Sequence, residues 1–334
     1  MAKKFAVFTS SDSTYFPLCR LLLQSLKDHF HDEIVPQYYV VDCGLTDDQK
    51  NSLQNNFEVN LVEPKHDYGV PEKFFFSKAM TVRAHLPEYA PSADHFIWMD
   101  ADAYVLNGSL LNVIDQALDE FEVVAVTEAG RSYSSFQRKD EYVPAFNSRP
   151  TEVTQSISDY NGQVNRHFFE EDTARYMSGF QNINSGMFGA RRDCELWALW
   201  KDAVRGALAR LESQFWASPR LDFLFEQASF NKVLRLNSIR LGILPETFNW
   251  NVDRRLPLVD VENRRLCCPE PPYETINVLH LLGSTKRRYY QPNYFRGPPV
   301  ETPIVLTYAN VLRLLNREDH VPDKVEVEEI WTRF

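Results

Sequence analysis

The segment from His95 to Leu106, HFIWMDADAYVL, constrains the fold more than any other, because a short apolar run leads directly into two carboxylates. The run at residues 96–99 is too short for a helix and reads as a strand buried in a parallel sheet. Asp100 and Asp102 follow at its carboxyl end. If the chain stays extended there, period-two geometry turns both side chains to the same side. We therefore expect a ligand site at the carboxyl edge of a sheet.

The two aspartates indicate a divalent cation. Neighbouring carboxylates repel each other unless a cation lies between them, and their oxygens suit Mg²⁺ or Mn²⁺. Two side chains do not fill the coordination shell of either ion, so a phosphate group can complete it. The alternative is a surface turn that happens to carry two aspartates.

The rest of the chain predicts alternating strands and helices. Predicted strands cover residues 5–8, 38–41, 59–62, 123–126, 183–188 and 276–281, with another near Ile243. Predicted helices cover residues 16–30, 78–86, 109–120, 193–213 and 222–236, and a capping box at Thr46 to Gln49 opens one that runs to about Phe57. This order is typical of an α/β fold with a mostly parallel sheet flanked by helices.

We expect a single domain over residues 1–300, followed by a helical extension at 301–334. Residues 1–128 form the predicted first half of this domain and residues 173–300 its second half. Between them, residues 129–172 lack steady periodicity and are predicted to be a long loop. A chain of 334 residues with 44% hydrophobic content can bury such a core.

Charge and composition narrow the possible partners. A formal charge of −10 argues against a nucleic-acid surface or a polybasic membrane anchor. The sequence has no apolar run long enough for a transmembrane segment and no secretory signal pattern, which predicts a cytoplasmic protein. The five cysteines show no paired CxxC spacing, so reduced thiols are expected.

Four other stretches carry polar groups that suit a phosphate or sugar ligand. Asn184-Ser185-Gly186 starts a strand and lets a ligand approach the backbone. Gln227 lies one residue after Glu226 on a predicted helix. His280-Leu-Leu-Gly283-Ser-Thr-Lys286 places an imidazole, a glycine turn and a cation after a strand. Lys78 and Arg83 precede the aspartate strand on a helix, from which they could reach a diphosphate; the alternative is a solvated helix face.

In this order the motifs resemble the GT-A glycosyltransferases, most closely the retaining galactosyl- and glucosyltransferases of glycosyltransferase family 8. The resemblance implies a GT-A, Rossmann-type fold, in which residues 1–128 are the nucleotide-binding half and residues 173–300 hold the donor sugar and acceptor. It implies a Mn²⁺ (or Mg²⁺) site formed by Asp100, Asp102 and His280. It implies that Gln227 and Glu226 are catalytic. The donor-binding residues by the same resemblance are Asp12, Tyr15, Lys78, Arg83, Asp100, Asn184, Ser185, Gly186, Gly283 and Lys286. Leu244, Pro245 and Asn249 match the family's L-P-x-x-x-N.

The sequence departs from the family pattern at three positions. Glu226 stands in place of an aspartate, Ala228 removes a second carboxylate, and Arg287 stands where the family often has proline. The first two departures leave the transferred sugar and the anomeric outcome open, while the metal and diphosphate parts of the pattern stay intact. The sequence offers no obvious nucleophilic carboxylate beside Gln227, which suits attack of the acceptor on the face that the diphosphate leaves.

The resemblance implies transfer of a hexose from UDP-glucose or UDP-galactose to a hydroxyl of a saccharide, lipid-linked glycan or protein, with retention of configuration. The run Lys286-Arg-Arg-Tyr-Tyr suggests a peripheral membrane contact. Two alternatives stay open: a phosphohydrolase of the haloacid-dehalogenase type, which Tyr104 disfavours, and a sugar-nucleotide-binding module without turnover.

Overall fold

A central seven-stranded sheet organises the molecule. The computed structural model describes residues 3–30, 35–65, 68–70, 77–128, 157–216, 218–287, 289–299 and 303–317. The strands of the sheet are β1 (Phe5–Ser11), β2 (Gln37–Asp42), β3 (Asn60–Val62), β4 (His95–Met99), β6 (Val123–Thr127), β7 (Ile183–Arg191) and β8 (Leu241–Leu244). Their spatial order is β3-β2-β1-β4-β7-β6-β8, and β7 alone runs antiparallel to its neighbours. The predicted α/β fold with a mostly parallel sheet is confirmed.

Helices cover the sheet, and two of them, at residues 157–168 and 171–177, have no predicted counterpart. The helices are α1 (Phe16–His29), α2 (Asp47–Phe57), α3 (Ser77–Thr81), α4 (Leu86–Tyr89), α5 (Leu110–Glu120), α6 (Ile157–Phe168), α7 (Glu171–Met177), α8 (Leu196–Ser213), α9 (Pro219–Asp222), α10 (Phe225–Leu236) and α11 (Tyr308–Leu314). The capping box of α2 forms as predicted, because the Thr46 hydroxyl accepts from Gln49 N and the Gln49 side chain accepts from Thr46 N. Single-turn 3₁₀ helices span residues 82–85 and 246–248, and a third covers 283–287.

Strand β4 is buried on both faces, which explains its uniformly apolar sequence. Phe96 and Trp98 belong to the core cluster on one face of the sheet, and Ile97 and Met99 belong to the cluster on the other. All four side chains are at most 1% exposed. The period-two alternation therefore holds along the strand itself.

A small second sheet connects the aspartate segment to the late part of the chain. It contains β5 (Ala103–Val105), β12 (Val278–His280) and β9 (Trp250–Asn251), in the order β5-β12-β9. His280 pairs with Ala103 on one side and with Asn251 on the other. This pairing places the histidine strand directly beside the segment that carries the two aspartates. A third sheet joins β10 (Leu258–Asp260), β11 (Arg265–Cys267) and β13 (Asn293–Arg296).

The prediction that residues 129–172 form a loop is wrong from residue 157 onward. Residues 129–156 lie outside the described residues, but residues 157–168 and 171–177 are helical. Val164 and Phe168 are buried one turn apart, while Asn161 and Asn165 are buried on the same helix. Asn161 accepts a hydrogen bond from Asn182 in the core. Because polar residues share the inward face, hydrophobic periodicity did not reveal the helix.

Part of the C-terminal extension lies within the described residues. The apolar helix expected near the end is α11, and residues 318–334 lie outside the described residues. Among the residues that the structure describes, no helix has both the length and the apolarity needed to cross a bilayer.

Candidate active site

The two aspartates converge because the chain turns, not because it stays extended. Ala103 N donates a hydrogen bond to Asp100 O at 3.0 Å, which closes a tight turn directly after β4. The backbone N of Asp100 donates to Gly186 O of β7 at 2.8 Å. The expectation of period-two geometry at Asp100 and Asp102 is therefore wrong, although both carboxylates do face one point.

His280 lies at that point. Its Nε2 is 3.2 Å from Asp102 Oδ1 and 3.9 Å from Asp100 Oδ2, and the side chain is 1% exposed. One ligand-type atom from each of the three residues lies within 4.8 Å of the others. Within the described part of the chain, Nε2 makes no hydrogen bond. Two carboxylates and a buried imidazole nitrogen without a hydrogen bond form a donor set that can hold a divalent metal ion.

Gly186 forms the floor of this group. A Cβ at this position would lie 2.6 Å from Asp100 Oδ2, 2.7 Å from His280 Cε1 and 2.8 Å from Asn184 Oδ1. Each distance is shorter than a carbon atom tolerates, so only glycine lets β7 run this close to the carboxylate and the imidazole. The close approach at Gly186 is therefore one of protein side chains, and the predicted approach of a ligand to the N-S-G backbone stays a prediction.

Asp100 is oriented from the side away from His280. Its Oδ1 accepts hydrogen bonds from Arg83 Nη2 at 2.6 Å and from the Trp98 indole at 2.8 Å. These contacts leave Oδ2 for the His280 side. The Arg83 guanidinium also lies 4.7 Å from the Trp98 ring centroid.

Arg83 is more enclosed than its predicted contact with a diphosphate implies. It is 7% exposed, and its Nη1 donates to Ser185 Oγ and to Glu226 Oε2, both at 3.0 Å. Arg83 lines the cleft, but both terminal nitrogens already contact protein oxygens. Arg83 therefore binds two carboxylates, those of Asp100 and Glu226, and holds them in place.

Lys286 pairs with the second aspartate. Its Nζ lies 2.6 Å from Asp102 Oδ2 and 5.3 Å from the Tyr15 ring centroid. Burial disfavours the charged form of Asp102, but Lys286 and His280 hold its pKa well below the usual range. Burial also disfavours the charged form of Lys286, but Asp102 and Tyr15 raise its pKa to about 12. Both groups are therefore charged at neutral pH.

Gly283 makes this placement of Lys286 possible. Its φ of +52° lies in the left-handed region, and it begins the 3₁₀ turn at 283–287 that carries the lysine back towards Asp102. Lys286 and Tyr290 are only 5% and 1% exposed. These two members of the Lys-Arg-Arg-Tyr-Tyr run are thus part of the interior and do not present a surface to a membrane.

Glu226 and Gln227 stand behind the aspartates on α10. Burial raises the pKa of Glu226 to about 7, although the nearby Arg83 guanidinium favours the charged form. The Gln227 side chain accepts from Ser185 N at 3.2 Å and donates from Nε2 to Glu128 Oε1 at 3.0 Å. Ala228 packs in the core.

Sequence reasoning missed Glu128. This residue directly follows β6, is 9% exposed, and supplies the carboxylate beside Gln227 that the sequence did not reveal. A glutamate after an apolar strand was the available signal, but nothing in its spacing connected it to α10.

An open cleft of about 370 Å³ lies in front of these groups. Its lining includes Ser10, Asp12, Tyr15, Cys43, Arg83, Asp100, Asp102, Phe223, Gly283 and Lys286. Asp12 Oδ1 accepts from the backbone N of Thr14 and Tyr15, which shapes the turn after β1. The structure does not bring the predicted Lys78 into the cleft: its side chain is exposed on α3, and Ala79 and Met80 line the wall instead.

The fold and this cluster at the carboxyl edge of the sheet define a GT-A glycosyltransferase. The chain belongs to glycosyl transferase family 8, whose model matches residues 6–175. The predicted class of enzyme is therefore confirmed, and the phosphohydrolase alternative is set aside. A search of curated proteins finds no match.

Solved structures agree on the fold. A galactosyltransferase, LgtC, in complex with donor and acceptor sugar analogues is 13% identical, with a TM-score of 0.52 over 97% of this chain and 99% of that one. The bifunctional glycosyltransferase WbbM is also 13% identical, with a TM-score of 0.54 over 100% of this chain and 52% of that one. At this identity the likeness concerns the fold alone.

Proposed function

We propose that this glycosyltransferase uses a divalent cation, Mn²⁺ or Mg²⁺, to transfer a hexose from a nucleotide diphosphate sugar, UDP-glucose or UDP-galactose, to an acceptor hydroxyl. The observation that carries the proposal is the convergence of Asp100, Asp102 and His280 at one edge of the cleft. Asp100 and Asp102 supply oxygen ligands and His280 a nitrogen ligand, which favours Mn²⁺ over Mg²⁺.

The residues fit a cation for a reason beyond their chemical type. The buried Nε2 of His280 makes no hydrogen bond in the described part of the chain and faces two carboxylates. When bound, the cation would supply Lewis-acid stabilisation of the diphosphate leaving group. Lys286 adds a second positive charge at the same edge of the cleft, where it can bind a phosphate oxygen.

Transfer with retention fits the groups around Gln227. An amide can stabilise a positively charged sugar carbon through its oxygen but is a poor nucleophile, which supports attack of the acceptor on the same face that the diphosphate leaves. In that mechanism a leaving phosphate oxygen accepts the proton of the acceptor hydroxyl. Glu226 would act through Arg83, because its carboxylate contacts the guanidinium and Ser185.

A thermal-shift panel tests the donor and the metal together. UDP-glucose, UDP-galactose, UDP and GDP-mannose are each added with Mn²⁺, with Mg²⁺ or with EDTA. A donor at 100 times its Kd stabilises the folded chain by about 2.7 kcal/mol, which raises the melting temperature. We expect UDP-sugars to shift the melting temperature only when metal is present. A shift of equal size in EDTA would contradict the metal-dependent part of the proposal.

Turnover separates an enzyme from a binding module. The donor that gives the largest shift is incubated with a panel of saccharide acceptors, and released UDP is measured with the full chain and with His280→Gln. Release of UDP that depends on both acceptor and Mn²⁺ supports transfer. Donor binding without release of UDP would instead support a sugar-nucleotide-binding module without turnover. This outcome requires that no acceptor in the panel causes release and that slow hydrolysis of the donor is also absent.

A further inference from the structure

A chain of hydrogen bonds leads from the backbone of β7 to the imidazole of His280. It starts at Gly186 N, which donates to Asn184 Oδ1 at 2.8 Å. A backbone N–H can only donate, so the identity of the Asn184 oxygen is fixed by its partner. Asn249 contacts the same oxygen through its Nδ2 at 3.0 Å. Because that oxygen can only accept, Asn249 must present its NH₂ group there.

The orientation of Asn249 then decides the protonation of the ring. With its NH₂ on Asn184, the Asn249 Oδ1 faces His280 Nδ1 at 3.0 Å. An amide oxygen accepts but does not donate, so Nδ1 must carry the hydrogen. A neutral imidazole has one N–H, which leaves a lone pair on Nε2. Asn184, Asn249 and His280 are 7%, 3% and 1% exposed, so water has little access to replace any of these contacts.

We infer that Asn249 is a positioning residue, which holds His280 in the tautomer that presents the Nε2 lone pair to the space between Asp100 and Asp102. The inference rests on the proposed function in that it assigns this lone pair to the metal. Nε2 is the atom that lies 3.2 and 3.9 Å from the two carboxylates. The other tautomer would direct an N–H at the same space and block ligation.

The tautomer can be measured without metal or substrate. The full chain is labelled with ¹⁵N-histidine, kept metal-free with EDTA and examined at a pH where imidazole is neutral. The His280 signals are identified among those of the eight histidines by comparison with His280→Gln. We expect a protonated Nδ1 and a bare Nε2. A neutral ring that carries its hydrogen on Nε2 instead would overturn the inference, and this result needs no variant of Asn249.

Two substitutions at Asn249 test what holds the tautomer. Asn249→Ala removes the acceptor, so we expect a mixture of tautomers and a Kd for Mn²⁺ that rises about 10- to 100-fold, as is typical when the partner of a metal-binding histidine is lost. Asn249→Asp keeps an acceptor for Nδ1–H, so the tautomer should stay as in the wild type. Its second oxygen faces Asn184 Oδ1 without a hydrogen, so this variant should lose stability. Free Mn²⁺ is measured by electron paramagnetic resonance, which does not depend on activity.

Asn277→Ala is the matched control. Asn277 is also buried, at 7% exposure. Its side-chain amide accepts a hydrogen bond from Ser109 Oγ and donates one to Thr275 O, and neither partner belongs to the group of Asp100, Asp102 and His280. The control should lose stability but keep the tautomer and the Kd for Mn²⁺. A wild-type Kd and a single tautomer in Asn249→Ala would overturn the inference. Failure of the wild type to bind Mn²⁺ would instead refute the metal part of the proposed function, and the tautomer spectrum would still decide the role of Asn249.

Discussion

The ammonium of Lys286 lies 2.6 Å from Asp102 Oδ2, while the other oxygen of that carboxylate faces His280. Both partners of this ion pair are buried, with side-chain exposures of 5% and 9%. Lys286 therefore balances the charge of a proposed metal ligand. It is also placed to bind a phosphate oxygen of the donor, so one side chain connects the cation site to the predicted diphosphate site.

The ion pair makes Asp102→Asn more damaging to stability than a simple loss of a ligand. The substitution leaves the Lys286 ammonium buried without a counter-ion, and breaking a buried pair in this way costs about 3–5 kcal/mol. We expect the free energy of unfolding in urea to fall by about that amount, together with loss of turnover. Lys286→Met in the Asp102→Asn background should recover much of the stability but none of the activity. Strictly additive effects of the two substitutions would show that the pair does not act as a unit.

Gly186→Ala should disable the site through geometry alone. The new methyl group would lie 2.6 to 2.8 Å from Asp100, His280 and Asn184, so at least one of them must move. We expect Mn²⁺ affinity and transfer to fall at least tenfold, since displacing one metal ligand or its partner has effects of about this size. Gly206→Ala is the control, because a Cβ there meets no atom within 4 Å. A Gly186→Ala chain that bound Mn²⁺ like the wild type would show that the close approach is not needed.

Glu226 should make stability fall as the pH rises towards neutrality. Its pKa is raised from 4.5 to about 7 by burial. Between these pH values the Glu226 carboxyl has released its proton in the unfolded chain but still holds it in the folded chain. Each unit of increase in pH therefore lowers the free energy of unfolding. The contribution is fully present below pH 4.5 and is lost above about 7, with a total near 3 kcal/mol at about 1.4 kcal/mol per unit.

Urea unfolding at several pH values, compared between the wild type and Glu226→Gln, measures this effect. The difference between the two free energies of unfolding should change across the interval from pH 4.5 to 7 and stay flat on both sides. Parallel curves over the whole range would mean that Glu226 titrates normally in the folded chain.

The sequence was most informative where burial and chemistry coincide along the chain. Phe96 to Met99 identified a strand buried on both faces, and the carboxylates after it marked the correct edge of the sheet. His280 came from the resemblance to a family, because no local pattern links it to Asp100. The pairing of β12 with β5 creates that contact, and such pairing depends on the whole fold.

Other features could not be read from the sequence for physical reasons. Two aspartates separated by one residue are compatible with both an extended strand and a tight turn, so the sequence pattern did not reveal the turn from Asp100 to Ala103. Arg83 has the sequence context of an exposed helical residue, yet a 3₁₀ turn directs it into the interior. Glu128 meets Gln227 only because β6 pairs with β7 and α10 packs against β7, so the contact depends on tertiary packing.

Gln227 and Glu128 provide a test of how the sugar is transferred. Gln227→Ala should lower kcat by about 10- to 1000-fold with a smaller change in KM, because the lost amide interacts mainly with the charged sugar of the transition state. Glu128→Leu removes the acceptor that holds Gln227 Nε2 and should lower kcat in the same way. Glu128→Gln keeps an oxygen acceptor, so its kcat should stay within about tenfold of the wild type if Glu128 only orients the amide.

The anomeric configuration of the product, followed by NMR from the start of the reaction, should match that of the donor in every variant. If Glu128→Gln instead abolishes transfer and mass spectrometry of the wild type incubated with donor alone detects a glycosylated Glu128, the carboxylate is a nucleophile and retention arises from two successive inversions rather than from attack on the leaving-group face.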